Sequence, residues 1–250
     1  ALTIYAIIAI SGAHLNPAVT ISVALLRGFP KRKVLPYIVS QLLGAILASA
    51  ILYVLFAGVL ACFEKEKGIV RGQAGSERSA MVFGEYFPNP GVFEVDPHDQ
   101  AKVLATQAKV SELQAMLAEM IGTALLVFFI FAMTDARNRN RPDGTLFAVL
   151  ICLTITILIC VIAPLTQACF NPARDFGPRL FSYFAGWGRI AIPGPRGGFF
   201  TVYILSPIVG GIVGGLIYDW VIRPPEPAPA TAAGRAAVDG KGLVTETTPT

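Results

Sequence analysis

An asparagine-proline-alanine tripeptide occurs twice in this chain, each time at the start of a short apolar segment. The copies are Asn16-Pro17-Ala18 and Asn171-Pro172-Ala173. Asparagine is a preferred N-cap, and proline suits the first helical position because its missing N–H would have no partner there. Each copy therefore predicts a helix start. The helices that follow, 17–26 and 172–184, are too short to cross a bilayer.

Longer apolar segments surround these copies and predict membrane-spanning helices. They are residues 34–61, 117–134, 145–163 and 199–222, against the roughly 17 to 25 residues that a crossing helix needs. Composition agrees, since 54% of the residues are hydrophobic and 14% are charged, whereas soluble domains carry about 25% charged residues. The chain opens inside a further apolar run, residues 1–10. We interpret this run as part of a longer span, so that the expected fold lacks its first span.

Three predicted spans separate the two tripeptides, and an odd number of crossings inverts the second copy relative to the first. The short helices are then expected to enter from opposite faces and to meet at their N-termini. Interrupted short segments at matching positions in two halves of a chain indicate a pore or binding site near the bilayer midplane. The sequence thus predicts an all-α membrane protein with two inverted repeats and two re-entrant half-helices.

The polar segments predict how the chain is oriented. Basic residues cluster in the short loops 27–33 and 137–141, and such loops are usually cytoplasmic. The long polar stretch 62–114 would then face outward. Its window 99–114 could form a surface helix and is interpreted as a packed loop excursion, with a functional lid as the alternative. Residues 223–250 are rich in Pro, Ala and Thr and are expected to form a disordered cytoplasmic tail.

Several classes of protein lack their signatures in this sequence. No basic stripe with interleaved aromatic residues is present, so nucleic-acid binding is not expected. No catalytic triad, carboxylate dyad, metal-ligand cluster or phosphate loop can be assembled, so we expect neither an enzyme nor a bound metal or cofactor. The cysteines show no metal-ligand spacing and are interpreted as small core residues. They are Cys62, Cys152, Cys160 and Cys169.

Paired glycines in the last predicted span suggest a close helix contact. Glycine at four-residue spacing lets two helices approach each other tightly in lipid. Chance clustering in a glycine-rich chain is the alternative. The residues concerned are Gly210, Gly211, Gly214 and Gly215.

The residues around both tripeptides resemble the two signature sequences of the major intrinsic protein (aquaporin) family. The first stretch is SGAHLNPAVT, residues 11–20, and the second is NPARDFGP, residues 171–178. Further matches, to the glycerol-facilitator branch, are Asp175, Arg179 and Pro207-Ile208. The resemblance implies an aquaporin-like right-handed helical bundle in the plasma or inner membrane, a homotetramer embedded in the lipid bilayer. It also implies passive passage of water and small neutral solutes such as glycerol, with urea as a further candidate.

The signature residues have expected roles in such a pore. The amides of Asn16 and Asn171 can donate hydrogen bonds to a passing hydroxyl group, and the two half-helix N-termini add a positive field that opposes protons and cations. The backbone carbonyls before each asparagine would accept hydrogen bonds from the solute. They belong to Gly12, Ala13 and His14 in the first loop and to Gln167, Ala168 and Cys169 in the second.

Two further side chains are expected to support the loops. By resemblance, Glu119 accepts hydrogen bonds from the backbone before Asn171, and a simple interfacial glutamate is the alternative. The imidazole of His14 either braces the first loop or lines the pore. Asp175 is expected to support the filter from outside the pore.

The resemblance places the selectivity filter at Arg174, Ile159 and Ala168, with one more position outside this chain. A charge within a membrane segment is costly and marks a transport path by default; an ion pair between Arg174 and Asp175 is the structural alternative. Ile159 stands where water-selective members have histidine, and Ala168 where facilitators have an aromatic residue, so a permissive pore is predicted. The alternatives are a water-selective or ammonia-like channel and a non-conducting structural membrane protein.

Overall fold

The computed structural model describes residues 1–93 and 99–226, and this part is helical and contains no strand. The predicted tail lies outside the described residues from residue 227 onward. In chain order the α-helices are α1 (Leu2–Ser11), α2 (Pro17–Leu26), α3 (Val34–Glu66), α4 (Glu77–Ala80), α5 (Gln100–Gln107), α6 (Glu112–Thr134), α7 (Gly144–Thr166), α8 (Pro172–Ser182) and α9 (Ser206–Ile217). Wider π-helical turns, Thr201–Leu205 and Tyr218–Ile222, extend α9 at both ends.

Four helical segments within residues 1–93 and 99–226 are long and apolar enough to cross a membrane. They are Lys31–Glu66, Ala101–Thr134, Gly144–Thr166 and Thr201–Ile222. The helices reach beyond the apolar runs because polar caps fix their ends. The Ser111 hydroxyl accepts from the backbone N–H of Gln114 in a capping box that starts α6, and Asp143 caps α7.

The two short helices begin as the tripeptides predict. Asn16 is the N-cap of α2 and Asn171 is the N-cap of α8, each followed by proline at the first helical position. Helix α8 packs against α3, where Gly177 lies beside Ala45, and α2 packs against α9, where Gly211 lies beside Ser22. Each half-helix is thus held by a spanning helix of the other half of the chain.

The glycines of α9 lie against α6, which confirms the predicted close contact. A Cβ atom at Gly210 would lie 2.1 Å from the carbonyl oxygen of Met120, and one at Gly214 would lie 1.9 Å from that of Ala124. Any side chain would force the two helices apart, so this interface requires glycine.

The interpretation of the cysteines as core residues is wrong for two of them. Cys169 is buried, but Cys62 on α3 and Cys160 on α7 are exposed. Both lie on apolar helices whose outer faces point away from the bundle, where a small apolar side chain is equally well tolerated.

The polar stretch between α3 and α6, which we call the outer excursion because it lies outside the spanning helices, contains the short helices α4 and α5. Phe83 and Tyr86 are buried against Trp187, whose indole N–H donates to the Ser79 hydroxyl at 2.9 Å. This packing brings residues 83–86 over the start of α8, beside the second tripeptide.

Candidate functional site

The loops that precede the two asparagines have the same backbone conformation, position by position. In each, the residues one, three and four places before the asparagine have positive φ. These are Gly12, Ala13 and Leu15 before Asn16, and Gln167, Ala168 and Phe170 before Asn171. A left-handed conformation costs a residue other than glycine roughly 1–2 kcal/mol, and strain of this kind clusters at functional sites. The repeat is therefore a repeat of three-dimensional structure.

The two asparagine side chains each donate a hydrogen bond to the opposite loop. Asn16 Nδ2 donates to the carbonyl oxygen of Phe170 at 2.8 Å, and Asn171 Nδ2 donates to that of Leu15 at 2.9 Å. Each Oδ1 accepts from its own helix, from Ala18 N at 2.8 Å and Ala173 N at 3.1 Å. An amide nitrogen carries two hydrogens, so each asparagine retains one N–H that can be offered to a solute.

These reciprocal bonds give Leu15 and Phe170 a role that sequence reasoning missed. Their carbonyls bind the opposite asparagine, whereas the predicted acceptors for solute lie further back in each loop. The sequence could have indicated them only by their position, because each directly precedes one copy of the repeated tripeptide.

Glu119 lies behind the second loop and is completely buried. Its Oε1 accepts from the Thr166 hydroxyl at 2.6 Å and from Cys169 N at 3.0 Å, while its Oε2 accepts from Phe170 N at 2.7 Å. A buried carboxylate requires such donors to offset the loss of its hydration. The carboxylate thus holds the loop in the conformation that presents its carbonyls.

A hydroxyl at the centre of a small network braces the first loop. Thr20 donates to the carbonyl oxygen of Asn16 at 3.0 Å, and Gln41 Nε2 donates to the Thr20 hydroxyl at 3.0 Å. His14 Nδ1 lies 3.3 Å from the same hydroxyl. Because the only Thr20 proton is directed at Asn16, Nδ1 of His14 must carry the hydrogen in this contact. The imidazole therefore braces the loop, and it also lines the cavity described below.

Arg174 lies one turn into α8, and its guanidinium group is bound on two sides by the outer excursion. Nη1 donates to the carbonyl oxygen of Phe83 at 2.7 Å, and Nη2 lies 2.7 Å from Glu85 Oε1. Asp175 instead pairs with Arg179 at 2.6 Å and accepts from the backbone N–H of Glu85 at 2.7 Å. The alternative of an Arg174–Asp175 ion pair is therefore wrong, because consecutive side chains on a helix point in different directions.

Glu85 is the partner that sequence reasoning missed. It lies 89 residues before Arg174 in a polar stretch of near-balanced charge, and nothing in the local pattern distinguishes it from neighbouring acids.

A cavity of about 810 Å³ lies beside the two half-helices and the loops that precede them. Asn171 and Arg174 contribute to its wall from the second half of the chain, and His14 and Leu15 from the first. Helix α3 forms the opposite wall. Ile159 and Ala168 lie outside this cavity: Ile159 is on the exposed side of α7, and Ala168 packs in a core with Phe170.

Comparisons with known proteins show the family to which the chain belongs. The family profile described as "Major intrinsic protein" matches residues 1–218. The glycerol uptake facilitator protein of Escherichia coli (strain K12) is 42% identical over 223 residues, which cover 89% of this chain and 72% of the relative. The propanediol uptake facilitator PduF of Salmonella typhimurium is 38% identical over 222 residues, covering 88% of this chain and 76% of the relative.

A solved structure shows the same fold. The X-ray structure of the aquaglyceroporin from Plasmodium falciparum superimposes with a TM-score of 0.68 at 24% identity, covering 86% of this chain and 75% of that chain. This likeness confirms the predicted all-α, aquaporin-like bundle. The profile match, the facilitator relatives and the shared fold together place the chain in the major intrinsic protein family.

Proposed function

We propose that this protein is a passive transmembrane channel for water and small uncharged solutes, with glycerol as its main organic solute. The observation that carries the proposal is the reciprocal pair of bonds from Asn16 and Asn171. It joins the N-termini of the two half-helices, and Asn171 contributes to the cavity wall. The facilitator relatives support glycerol as the solute. As a member of this family, the protein is an integral membrane transporter and not an enzyme.

Exclusion of ions follows from the charges at that point. Each helix N-terminus carries roughly half a positive charge, and Arg174 adds a guanidinium group on the same cavity wall. A cation or proton would meet this positive field after losing its hydration, whereas a neutral hydroxyl can accept from the amides and donate to loop carbonyls. The expected carbonyls are those of Gly12, Ala13 and His14 before Asn16 and those of Gln167, Ala168 and Cys169 before Asn171.

Filter width determines which neutral solutes pass. In this proposal Arg174, Ile159 and Ala168 form the visible part of the filter. Of the three, Arg174 lines the cavity described above, and Ile159 and Ala168 lie outside it, so the proposal requires the pore to extend past the small side chain of Ala168, which leaves room for a carbon backbone. Glycerol, and urea as a further candidate, would then pass together with water. A channel restricted to water or ammonia-like solutes is the second candidate, and a non-conducting structural protein is the third.

Assembly and orientation belong to the same proposal. The family resemblance implies a homotetramer with one pore in each protomer, and the broad apolar faces of α3 and α7 offer surface for such contacts. The basic loops 27–33 and 137–141 would face the cytoplasm. Native mass spectrometry of the detergent-solubilised protein tests the stoichiometry, and a monomer under conditions that preserve flux would contradict it.

Stopped-flow light scattering from proteoliposomes tests the transport function. An impermeant osmolyte gradient should produce fast shrinkage, and a glycerol gradient should produce fast shrinkage followed by fast re-swelling. Asn171→Ala should reduce both fluxes, while Asn140→Ala, at an exposed loop position, should change neither. Shrinkage without re-swelling would favour the water-selective candidate, and flux no greater than that of empty vesicles would favour the non-conducting one.

A further inference from the structure

The helices that precede the two half-helices end in the same conformation but with different residues. Helix α1 is capped by Gly12 and α7 by Gln167, each four places before the asparagine of its tripeptide. Both caps are left-handed, with φ of 71° and 65°, and the N–H of each donates to the carbonyl oxygen four residues earlier at 2.9 Å. Glycine adopts this conformation without strain, whereas glutamine does not. One of two equivalent positions therefore carries a strained residue.

The side chain of Gln167 gives a physical reason for this strain. Its Oε1 accepts from the backbone N–H of Tyr86 at 2.8 Å, and its Nε2 donates to the carbonyl oxygen of Met81 at 3.3 Å. The amide thus bridges residues 81–86 of the outer excursion from within the loop that precedes Asn171. Left-handed residues other than glycine persist where surrounding contacts fix them, and they are found at functional sites.

The bridged segment carries the two groups that hold Arg174. The carbonyl oxygen of Phe83 and the carboxylate of Glu85 lie between the two contact points of Gln167, and each binds the guanidinium group at 2.7 Å. The backbone of Gln167 meanwhile belongs to the loop whose carbonyls are the proposed solute acceptors. One side chain therefore connects the guanidinium donor of the cavity wall to the acceptor carbonyls of the proposed pore.

Helix α8 holds the same segment from another side. The N–H of Glu85 donates to Asp175 Oδ1 at 2.7 Å, and the carbonyl oxygen of Glu85 accepts from the buried Arg179. Loss of the glutamine bridge would therefore leave the segment attached to α8. It would allow the segment and Arg174 to shift together relative to the loop.

We propose that Gln167 is a positioning residue for solute selectivity, whose side chain sets the distance between Arg174 and the carbonyls of residues 167–169. The inference rests on the proposed channel function. Glycerol has three hydroxyl groups and has to contact the donor and the acceptors together, whereas a water molecule has one oxygen and can contact them in turn. A change in that distance should therefore reduce glycerol flux more than water flux.

Two substitutions separate the bridge from the strain. Gln167→Gly removes both the side chain and the strain. Gln167→Asn keeps an amide and is tolerated in the left-handed conformation, but it is one methylene too short to hold both contacts. In proteoliposomes both variants should lower the ratio of glycerol to water permeability by roughly threefold to tenfold, as expected for the loss of about one hydrogen bond. Gln73→Asn, at an exposed position of the outer excursion, should keep the wild-type ratio.

Hydrogen exchange measures the bridge independently of flux. The amide hydrogen of Tyr86 should exchange faster in both Gln167 variants than in the wild type, because it has lost its acceptor. A residue with a purely structural role would instead lower both fluxes by the same factor, through a smaller number of folded channels.

Each outcome decides the proposal. A wild-type permeability ratio in either Gln167 variant overturns it, and so does an equal fall of both fluxes or unchanged exchange at Tyr86. If Gln167→Gly does not fold, the milder Gln167→Asn decides by the same criteria. Absence of flux of both solutes through the wild type would instead contradict the channel function on which the inference rests.

Discussion

The carboxylate of Glu119 accepts a hydrogen bond from the backbone N–H of Phe170 at 2.7 Å, and the carbonyl oxygen of Phe170 accepts one from Asn16 Nδ2 at 2.8 Å. One peptide segment thus connects a buried acid on α6 to the amide of the opposite half-helix. A substitution of Glu119 should therefore change the positions of both Asn16, through its bond to Phe170, and Asn171, which directly follows Phe170.

Glu119→Gln should lower both stability and flux. Glutamine supplies one acceptor oxygen in place of two. Its NH₂ group would therefore face either the N–H of Phe170 or the Thr166 hydroxyl and the N–H of Cys169. Leaving a buried donor unsatisfied costs about 1–3 kcal/mol. Thermal unfolding in detergent should show a lower midpoint, and water flux per channel should fall. An unchanged midpoint would mean that the loop does not depend on the carboxylate; Glu66→Gln serves as the matched control at an exposed position.

Gly214→Ala should destabilise the contact between α6 and α9. The added Cβ would lie 1.9 Å from the carbonyl oxygen of Ala124, which is backbone and cannot rotate away. Overpacking of this kind typically costs about 1–3 kcal/mol. Gly58→Ala is the control, because a Cβ there meets no atom within 4 Å and alanine is the better helix former. Equal unfolding midpoints for the two variants would contradict the assigned interface.

Asp219→Asn should destabilise the contact between α2 and the end of the last spanning segment. Arg27 donates to both carboxylate oxygens of Asp219, at 2.7 and 2.6 Å, and its guanidinium carbon lies 3.8 Å from the ring centre of Phe131. Loss of one partner leaves a largely buried charge without compensation, which we expect to cost about 1–3 kcal/mol. A double-mutant cycle with Arg27→Ala measures the coupling, and strictly additive effects on unfolding free energy would contradict the pair.

Ala168→Phe should alter glycerol flux more than water flux. The substitution introduces an aromatic side chain at a proposed filter position where the facilitator resemblance expects one. A larger solute is more sensitive to pore width than water is. Ala168 is buried and packs with Phe170, so the new ring must displace neighbours or enter the pore. Stopped-flow measurement of both solutes in one preparation tests this, and equal changes in the two fluxes would exclude a filter role.

Local structure could be predicted well from the sequence. The caps at Asn16 and Asn171 depend on neighbouring residues only, and so do the starts of α2 and α8. The glycine interface could also be anticipated, because only the absence of a side chain permits such close approach. Helix starts were less predictable, since α6 and α7 begin at the polar caps Ser111 and Asp143, before the apolar runs that start at residues 117 and 145.

The ion-pair partners of Arg174 and Asp175 could not be predicted from the sequence. Arg174 is followed directly by Asp175, yet its carboxylate partner is Glu85, and Asp175 binds Arg179 one turn later on the helix. The geometry of α8 points the side chains of Arg174 and Asp175 in different directions. The folding of the outer excursion brings Glu85 to Arg174.

The sequence by itself determined the membrane-spanning helices, the inverted repeat and the two donor asparagines, because apolar length and helix capping are local properties. Only the tertiary structure decided which carbonyls those asparagines bind, which carboxylate faces Arg174 and which residues line the cavity. Those contacts join residues that are 89 to 156 positions apart. They exist only when the chain has packed, since the free energy of a buried hydrogen bond or ion pair depends on the groups that surround it.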